Sequence, residues 1–267
     1  MWVCRPATVT ALAGLLLAAC SSASSSAAPP PASNVSIAPP ASDAPSPDPT
    51  AGSQAVRFPA SGGVRLAGRV FGTGPVGIVL AHQIDDDQSD WYPYAHRLAT
   101  LGYRVLTFDL RGYCPGGDAG CSSGSPDAES SADDVDAAIR FFRDRGVRSV
   151  VLIGASVGGQ AVLVRAARST DGITGVVSLS APTYFAYDIS AKTLAGLGVP
   201  TLFIAGSGDG DAAVSARRFA RWVTGPTDVL VMNTGEHGIA LLSSDEPSVA
   251  RPVDRRILEF LRRSATG

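Results

Sequence analysis

The stretch VLIGASVGGQ, residues 151–160, passes from an apolar, strand-like run directly into a serine surrounded by glycines. A serine inside a strand needs no such neighbours, whereas a serine on a sharp turn needs glycines where the backbone is strained or closely packed. Gly154, Ser156 and Gly158 fit the Gly-x-Ser-x-Gly pattern, in which a strand, a tight turn and a helix present a nucleophilic hydroxyl. The pattern predicts a reactive serine if a strand precedes it and a helix follows. Taken alone, it also fits an ordinary packing turn.

Apolar strand-like runs alternate with amphipathic helical runs from residue 55 onward. The predicted strands are 64–72, 76–82, 103–109, 147–154, 173–180, 199–206 and 227–233, and the predicted helices are 91–102, 131–146, 157–168, 211–223 and 251–263. Nearly continuous apolar strands separated by helices are typical of an α/β protein with a parallel sheet covered on both faces. Functional groups are then expected at the carboxyl ends of the strands. No internal repeat and no second domain is visible in the sequence.

A serine hydroxyl is a weak nucleophile until a base takes its proton and a third group orients that base. Of the three histidines, His96 falls inside a predicted helix, whereas His237 lies in MNTGEHGIAL, just beyond the last predicted strand. Asp209 follows the strand at 199–206 and is expected at the same edge of the sheet. Asp211 is the alternative carboxylate, although its position favours capping the next helix. The order Ser156, Asp209, His237 is the order of nucleophile, acid and base in enzymes with this turn.

Further matching segments are VLAHQ at 79–83, FDLRGYC at 108–114, GASVGG at 154–159, GSGD at 206–209 and GEHG at 235–238. On these motifs, residues 55–267 resemble the α/β-hydrolase superfamily, in outline its small esterases and dienelactone-hydrolase-like members. The resemblance implies an α/β-hydrolase fold with a mostly parallel central sheet. It also implies a serine hydrolase that cleaves a small-molecule carboxylic ester through an acyl-enzyme, with Ser156, Asp209 and His237 as catalytic residues. No metal and no cofactor is expected.

The residues around the expected oxyanion site depart from the pattern of many relatives. Those relatives carry His-Gly after the strand before the first helix, and here the sequence reads His82-Gln83-Ile84. The backbone N–H of Val157 is the expected first oxyanion donor, and the second is either Gln83 or Ile84. His82 is expected to be a structural residue of this turn.

Two other segments near the expected site have more than one interpretation. Asp85, Asp86 and Asp87, with Asp90 soon after, lack the alternating spacing of a calcium loop, so a solvated loop with a helix cap is favoured over a metal site. If this loop borders the pocket, it should disfavour anionic substrates. Only residues 181–198 separate two predicted strands where relatives with large caps carry insertions, which predicts a capless, open site. Aromatic residues in that segment either line an acyl pocket or pack against the sheet: Tyr184, Phe185 and Tyr187.

The N-terminal segment predicts export. Residues 1–19 hold one arginine and then an apolar stretch too short to span a bilayer, as in a signal peptide. The stretch ends in LAAC, which resembles a bacterial lipobox and implies lipidation of Cys20; an ordinary secretory signal is the alternative. Residues 20–53, rich in serine, alanine and proline, predict a disordered tether before a hydrolase domain at 54–267. The expected location is the outer face of the cell membrane, reached through a lipid anchor.

The remaining cysteines agree with export. Cys114 and Cys121 lie in a glycine-rich loop, and an oxidising compartment favours a disulfide between them over two free thiols. A formal net charge of −2 gives no basis for nucleic-acid binding. Sequence alone leaves open a peptidase or thioesterase with the same residues, a non-catalytic surface-binding lipoprotein, and the oligomeric state.

Overall fold

The structure, a computed structural model, describes residues 48–114 and 120–264. The predicted signal segment 1–19, Cys20 and nearly all of the tether predicted at 20–53 lie outside the described residues. Within the described ranges, one sheet contains the strands β1 (Ser53–Pro59), β2 (Arg65–Phe71), β3 (Val76–Ala81), β4 (Arg104–Phe108), β5 (Ser149–Ala155), β6 (Ile173–Leu179), β7 (Thr201–Gly206) and β8 (Thr227–Met232). The α-helices of these ranges are α1 (Tyr92–Thr100), α2 (Ser131–Arg143), α3 (Val157–Arg168), α4 (Ala191–Leu194), α5 (Ala212–Ala220), α6 (Ala240–Ser243) and α7 (Pro247–Ser264).

The strand order is β1-β2-β4-β3-β5-β6-β7-β8. All neighbours from β4 to β8 run parallel, as the sequence predicts, while β1 and β2 pair antiparallel at one edge. The sequence-based assignment missed β1. Only Phe58 of that strand is buried, because β1 is the edge of the sheet, so no continuous apolar run marks it.

Alternating residues of each central strand supply two separate cores, one on each face of the sheet. In β3, Ile78 and Leu80 pack with side chains of α1 and α7, whereas Val79 and Ala81 pack with α2 and α3 on the other face. Because β3 is covered on both faces, its side chains are buried almost throughout, and its period-2 alternation of faces does not show as apolar-polar alternation in the sequence. This burial accounts for the nearly continuous apolar runs.

The parallel arrangement brings the carboxyl ends of β5 to β8 to one edge of the sheet. Register pairs Ala155 with Leu179 and Gly206 with Met232, so the chain leaves these strands at similar heights. Between β6 and β7, the single α-helix is the four-residue α4, and no large cap domain stands over this edge in the described ranges. A disulfide joins Cys114 to Cys121 in the loop after β4. None of the helices in residues 48–114 and 120–264 is long and apolar enough to cross a membrane.

Candidate active site

Ser156 occupies the turn between β5 and α3. Its φ of 50° and ψ of −114° lie where a side chain is strained, and its N–H donates to the Leu179 carbonyl at 2.8 Å. Strained backbone of this kind persists only where the surrounding structure fixes it, and it concentrates at functional sites. The strand, turn and helix that the Gly-x-Ser-x-Gly pattern requires are therefore all present around this serine.

Two glycines make the turn possible by allowing close approach of backbone segments. A Cβ atom added to Gly154 would collide with the carbonyl oxygen of Gly158. A Cβ atom added to Gly158 would collide with the carbonyl oxygen of Ala81 and lie 2.5 Å from that of His82. Since both clashes involve backbone, no side-chain rotation relieves them. The glycines let α3 begin directly against the end of β3.

Asp209 and His237 form a hydrogen-bonded pair at the same edge. His237 Nδ1 lies 2.9 and 3.0 Å from the two carboxylate oxygens of Asp209. The Asp209 side chain is 13% exposed and the His237 side chain 43% exposed, so the pair lies at the edge of the interior. If Nδ1 carries the hydrogen that this contact requires, Nε2 of the neutral ring is free to accept a proton. Asp211 is exposed at the start of α5 and makes no capping hydrogen bond with its side chain, so Asp209 is the carboxylate that contacts the histidine.

The loop that carries His237 lies beside the serine turn. Gly238 has a φ of 56°, and a Cβ atom added there would lie 3.3 Å from the Ala155 Cβ atom. Among the hydrogen bonds of the described residues, none joins Ser156 Oγ to the His237 ring. Such contacts are often long without substrate and tighten when it binds.

His82 is buried and makes hydrogen bonds that hold the turn after β3. Its Nδ1 donates to the Gln83 carbonyl at 2.7 Å, and its Nε2 accepts from the Leu110 N–H at 3.0 Å. Burial lowers the pKa of His82, which favours the neutral ring that these two contacts require. The Gln83 side chain turns the other way, and its Oε1 accepts from the Ile239 N–H at 3.1 Å. Sequence reasoning considered only the backbone of Gln83 and missed this side-chain contact. His96, the third histidine, is exposed.

The acidic loop after β3 contains the predicted helix cap. Asp87 accepts from the Ser89 N–H at 2.7 Å and caps the short 3-10 helix Gln88–Trp91. Burial and the nearby Asp86 carboxylate raise the pKa of Asp90 to about 6. In residues 48–114 and 120–264, no group of three or more histidine, cysteine or acidic side chains is arranged to hold a metal ion.

A buried polar network behind this loop was missed at the sequence level. The Asp109 carboxylate accepts from the Gln88 backbone N–H at 2.9 Å and from its Nε2 at 2.6 Å. Burial raises the pKa of Asp109 to about 7, although the hydrogen bonds from Gln88 oppose the shift. The Thr107 hydroxyl donates to Gln88 Oε1 at 3.0 Å. The network ties the loop after β3 to the end of β4.

The aromatic residues after β6 divide into two kinds. The Tyr187 hydroxyl accepts from the Ala132 N–H at 2.9 Å and donates to the Glu129 carbonyl at 2.6 Å, so it satisfies backbone groups at the start of α2. Tyr184 and Phe185 are 76% and 53% exposed. Tyr184 also borders an open groove of about 250 Å³. Neither of these two exposed rings is packed against the sheet.

Comparisons with known proteins agree with this architecture. The sequence model of a family described as "alpha/beta hydrolase fold" matches residues 78–203. A segment of 122 residues, 45% of this chain, is 30% identical to "Bifunctional epoxide hydrolase 2" of Rattus norvegicus. The match spans only 21% of the length of that protein.

Solved structures resemble the described residues over most of their length. An esterase from Pyrococcus furiosus is 17% identical with a TM-score of 0.65, and the match covers 79% of this chain and 90% of that one. A dienelactone hydrolase from Anabaena variabilis is 21% identical with a TM-score of 0.64, covering 79% and 97%. The chain therefore has the α/β-hydrolase fold.

Proposed function

We propose that the protein is a serine hydrolase that cleaves carboxylic esters through an acyl-enzyme. The observation that carries the proposal is the hydrogen bond between Asp209 and His237, because the loop that carries His237 lies beside the strained turn of Ser156. A nucleophile, a base and a group that orients the base are the three parts that serine catalysis requires. The esterases among the structural neighbours share the fold, and the substrate class for this chain is inferred from the chemistry of the residues.

The reaction begins when His237 Nε2 takes the proton of Ser156 as Oγ attacks the ester carbonyl carbon. Asp209 keeps the hydrogen of the neutral imidazole on Nδ1 and stabilises the imidazolium. The backbone N–H of Val157, in the first turn of α3, has no partner within its helix and donates to the oxyanion. The second donor is the backbone N–H of Gln83 or Ile84. The alcohol leaves with the proton from His237, and water then attacks the acyl-enzyme to release the acid.

Serine chemistry distinguishes esters from the epoxides named in the curated relatives. Attack of a serine on an ester gives an acyl-enzyme, which water hydrolyses by the same steps in reverse order. Attack on an epoxide would give an ether, which has no carbonyl for water to attack and would leave the enzyme blocked. We therefore expect turnover of short or medium acyl esters rather than of epoxides. The open, capless edge favours small substrates that need no enclosing lid.

Covalent labelling by a fluorophosphonate tests the proposal directly, because such probes react with activated serines. The variants Ser156→Ala and His237→Ala are compared with Ser169→Ala and His96→Ala, which alter an exposed serine just after the far end of α3 and an exposed histidine of α1. We expect labelling of the wild type and of both control variants, and none of Ser156→Ala or His237→Ala. Turnover of matched ester, thioester and amide substrates then ranks the leaving groups, with an epoxide as the fourth substrate.

A well-folded wild type that neither labels nor turns over any of these substrates would refute the hydrolase and favour a surface-binding lipoprotein. Labelling that survives in Ser156→Ala would place the nucleophile elsewhere. Amide or thioester turnover well above ester turnover would replace the esterase by a peptidase or a thioesterase on the same residues.

We also propose that the protein is exported and held at the outer face of the cell membrane by lipid on Cys20. The proposal is supported by the apolar segment and the LAAC motif of the sequence, and by the disulfide between Cys114 and Cys121, a bond that persists mainly in oxidising compartments.

A further inference from the structure

The Gln83 side chain links two loops that the proposed reaction must hold together. Its Oε1 accepts a hydrogen bond of 3.1 Å from the backbone N–H of Ile239, two residues beyond His237. Gln83 itself belongs to the turn after β3 that supplies the proposed second oxyanion donor. One side chain therefore bridges the turn that binds the oxyanion and the loop that carries the base.

The absence of a side chain at Gly238 leaves room for the Gln83 amide. A Cβ atom added to Gly238 would collide with Gln83 Oε1, and the φ of 56° is one that glycine adopts without strain. The space left by the absent side chain is filled by the glutamine amide.

The turn that holds Gln83 is itself fixed from the buried side. The Gln83 carbonyl accepts from His82 Nδ1, and His82 Nε2 accepts from the Leu110 N–H at the end of β4. The backbone of Gln83 is thus tied through His82 to the segment just after β4, and its side chain is tied to Ile239. Asp209 orients the imidazole ring of His237, and this second set of contacts holds the backbone next to that ring.

We propose that Gln83 is a positioning residue, which sets the distance of His237 from Ser156 and from the oxyanion turn. The inference rests on the proposed hydrolase function. Misplacing a catalytic group by about 1 Å can cost on the order of a hundredfold in rate, so loss of the bridge should lower kcat rather than weaken substrate binding.

The test compares Gln83→Met, which keeps the length of the side chain and removes the acceptor, with Gln83→Glu, which keeps an acceptor oxygen. Gln54→Met, on the exposed edge strand β1, controls for the chemical change. The measurements are kcat and KM on a p-nitrophenyl ester, the rate of fluorophosphonate labelling, and Tm. We expect Gln83→Met to lose roughly ten- to a hundredfold in kcat and labelling rate, with KM within about twofold and Tm close to that of Gln54→Met. Gln83→Glu should recover most of the lost kcat.

An active wild type with unchanged kcat in Gln83→Met would overturn the role of Gln83 and leave the hydrolase intact. If Gln83→Met lowers Tm together with kcat, or if Gln83→Glu does not restore kcat, Gln83 would be a structural residue only. A wild type without labelling or turnover would refute the hydrolase, and the positioning role with it.

Discussion

Gly158→Ala tests whether the close approach of α3 to β3 sets both stability and activity. The added Cβ atom would lie 2.5 Å from the His82 carbonyl oxygen and even closer to that of Ala81, whereas ordinary contact begins at 3.4 Å. The backbone must therefore separate by at least about 0.9 Å, the difference between 3.4 Å and the distance to the His82 oxygen. Overpacking of this kind typically costs about 1–3 kcal/mol. In a domain of this size we expect Tm to fall by about 2–12 °C.

The same displacement should reduce activity, because it moves the turn of Gln83 away from the N–H of Val157. Loss of one oxyanion donor costs roughly a hundred- to a thousandfold in kcat, which sets the upper range of the effect. Gly198→Ala is the matched control, since its Cβ atom would meet only Thr224 Oγ1 at 3.9 Å in an exposed loop. Thermal unfolding and ester turnover are measured for both variants. A Gly158→Ala protein with the Tm and kcat of wild type would refute the packing argument. A lower Tm with unchanged kcat would refute the link between this packing and the proposed oxyanion turn.

Two further outcomes concern other parts of the chain. The pKa of Asp109 is raised from 3.8 to about 7 in the folded protein, so its contribution to stability is present at low pH and is lost as pH rises between these values. Asp109→Asn should remove this pH-dependent loss. In urea unfolding, the free energy of unfolding of the variant relative to wild type should therefore rise by up to about 4 kcal/mol between pH 4 and pH 8. A difference between the two proteins that is the same at both pH values would contradict the pKa shift. In cells fed an alkyne analogue of palmitate, the full-length protein and Cys4→Ser should take up label and Cys20→Ser should not; an unlabelled wild type would exclude this lipidation.

The central strands were predictable because burial of both faces of the sheet requires apolar residues at nearly every position, as in residues 76–82. The sharp turn at Ser156 was predictable for a related reason: glycines at fixed spacing mark close backbone approaches that leave no room for a side chain. The placement of Asp209 and His237 beside each other followed from the rule that parallel strands end at one edge of the sheet. In each case the signal lies in a few adjacent residues and needs no knowledge of distant contacts.

The features that sequence reasoning missed depend on contacts between distant segments. The bridge from Gln83 to Ile239 spans 156 positions, and nothing local distinguishes this glutamine from an exposed one. Nothing in the sequence around Tyr187 indicates that its hydroxyl forms a hydrogen bond with the start of α2. The edge strand β1 lacks an apolar run because it pairs with one strand only and most of its side chains are not buried.

The direction of β1 has a practical consequence for handling the protein. β1 is antiparallel to β2, and β2 is antiparallel to β4, so the chain enters the sheet at Ser53, level with the amino ends of the parallel strands. Ser156 lies at the opposite edge, where β5 ends. A purification tag, a bead linker or a fused carrier joined ahead of Ser53 therefore attaches at the edge away from Ser156, which makes this end the natural point for immobilising the protein.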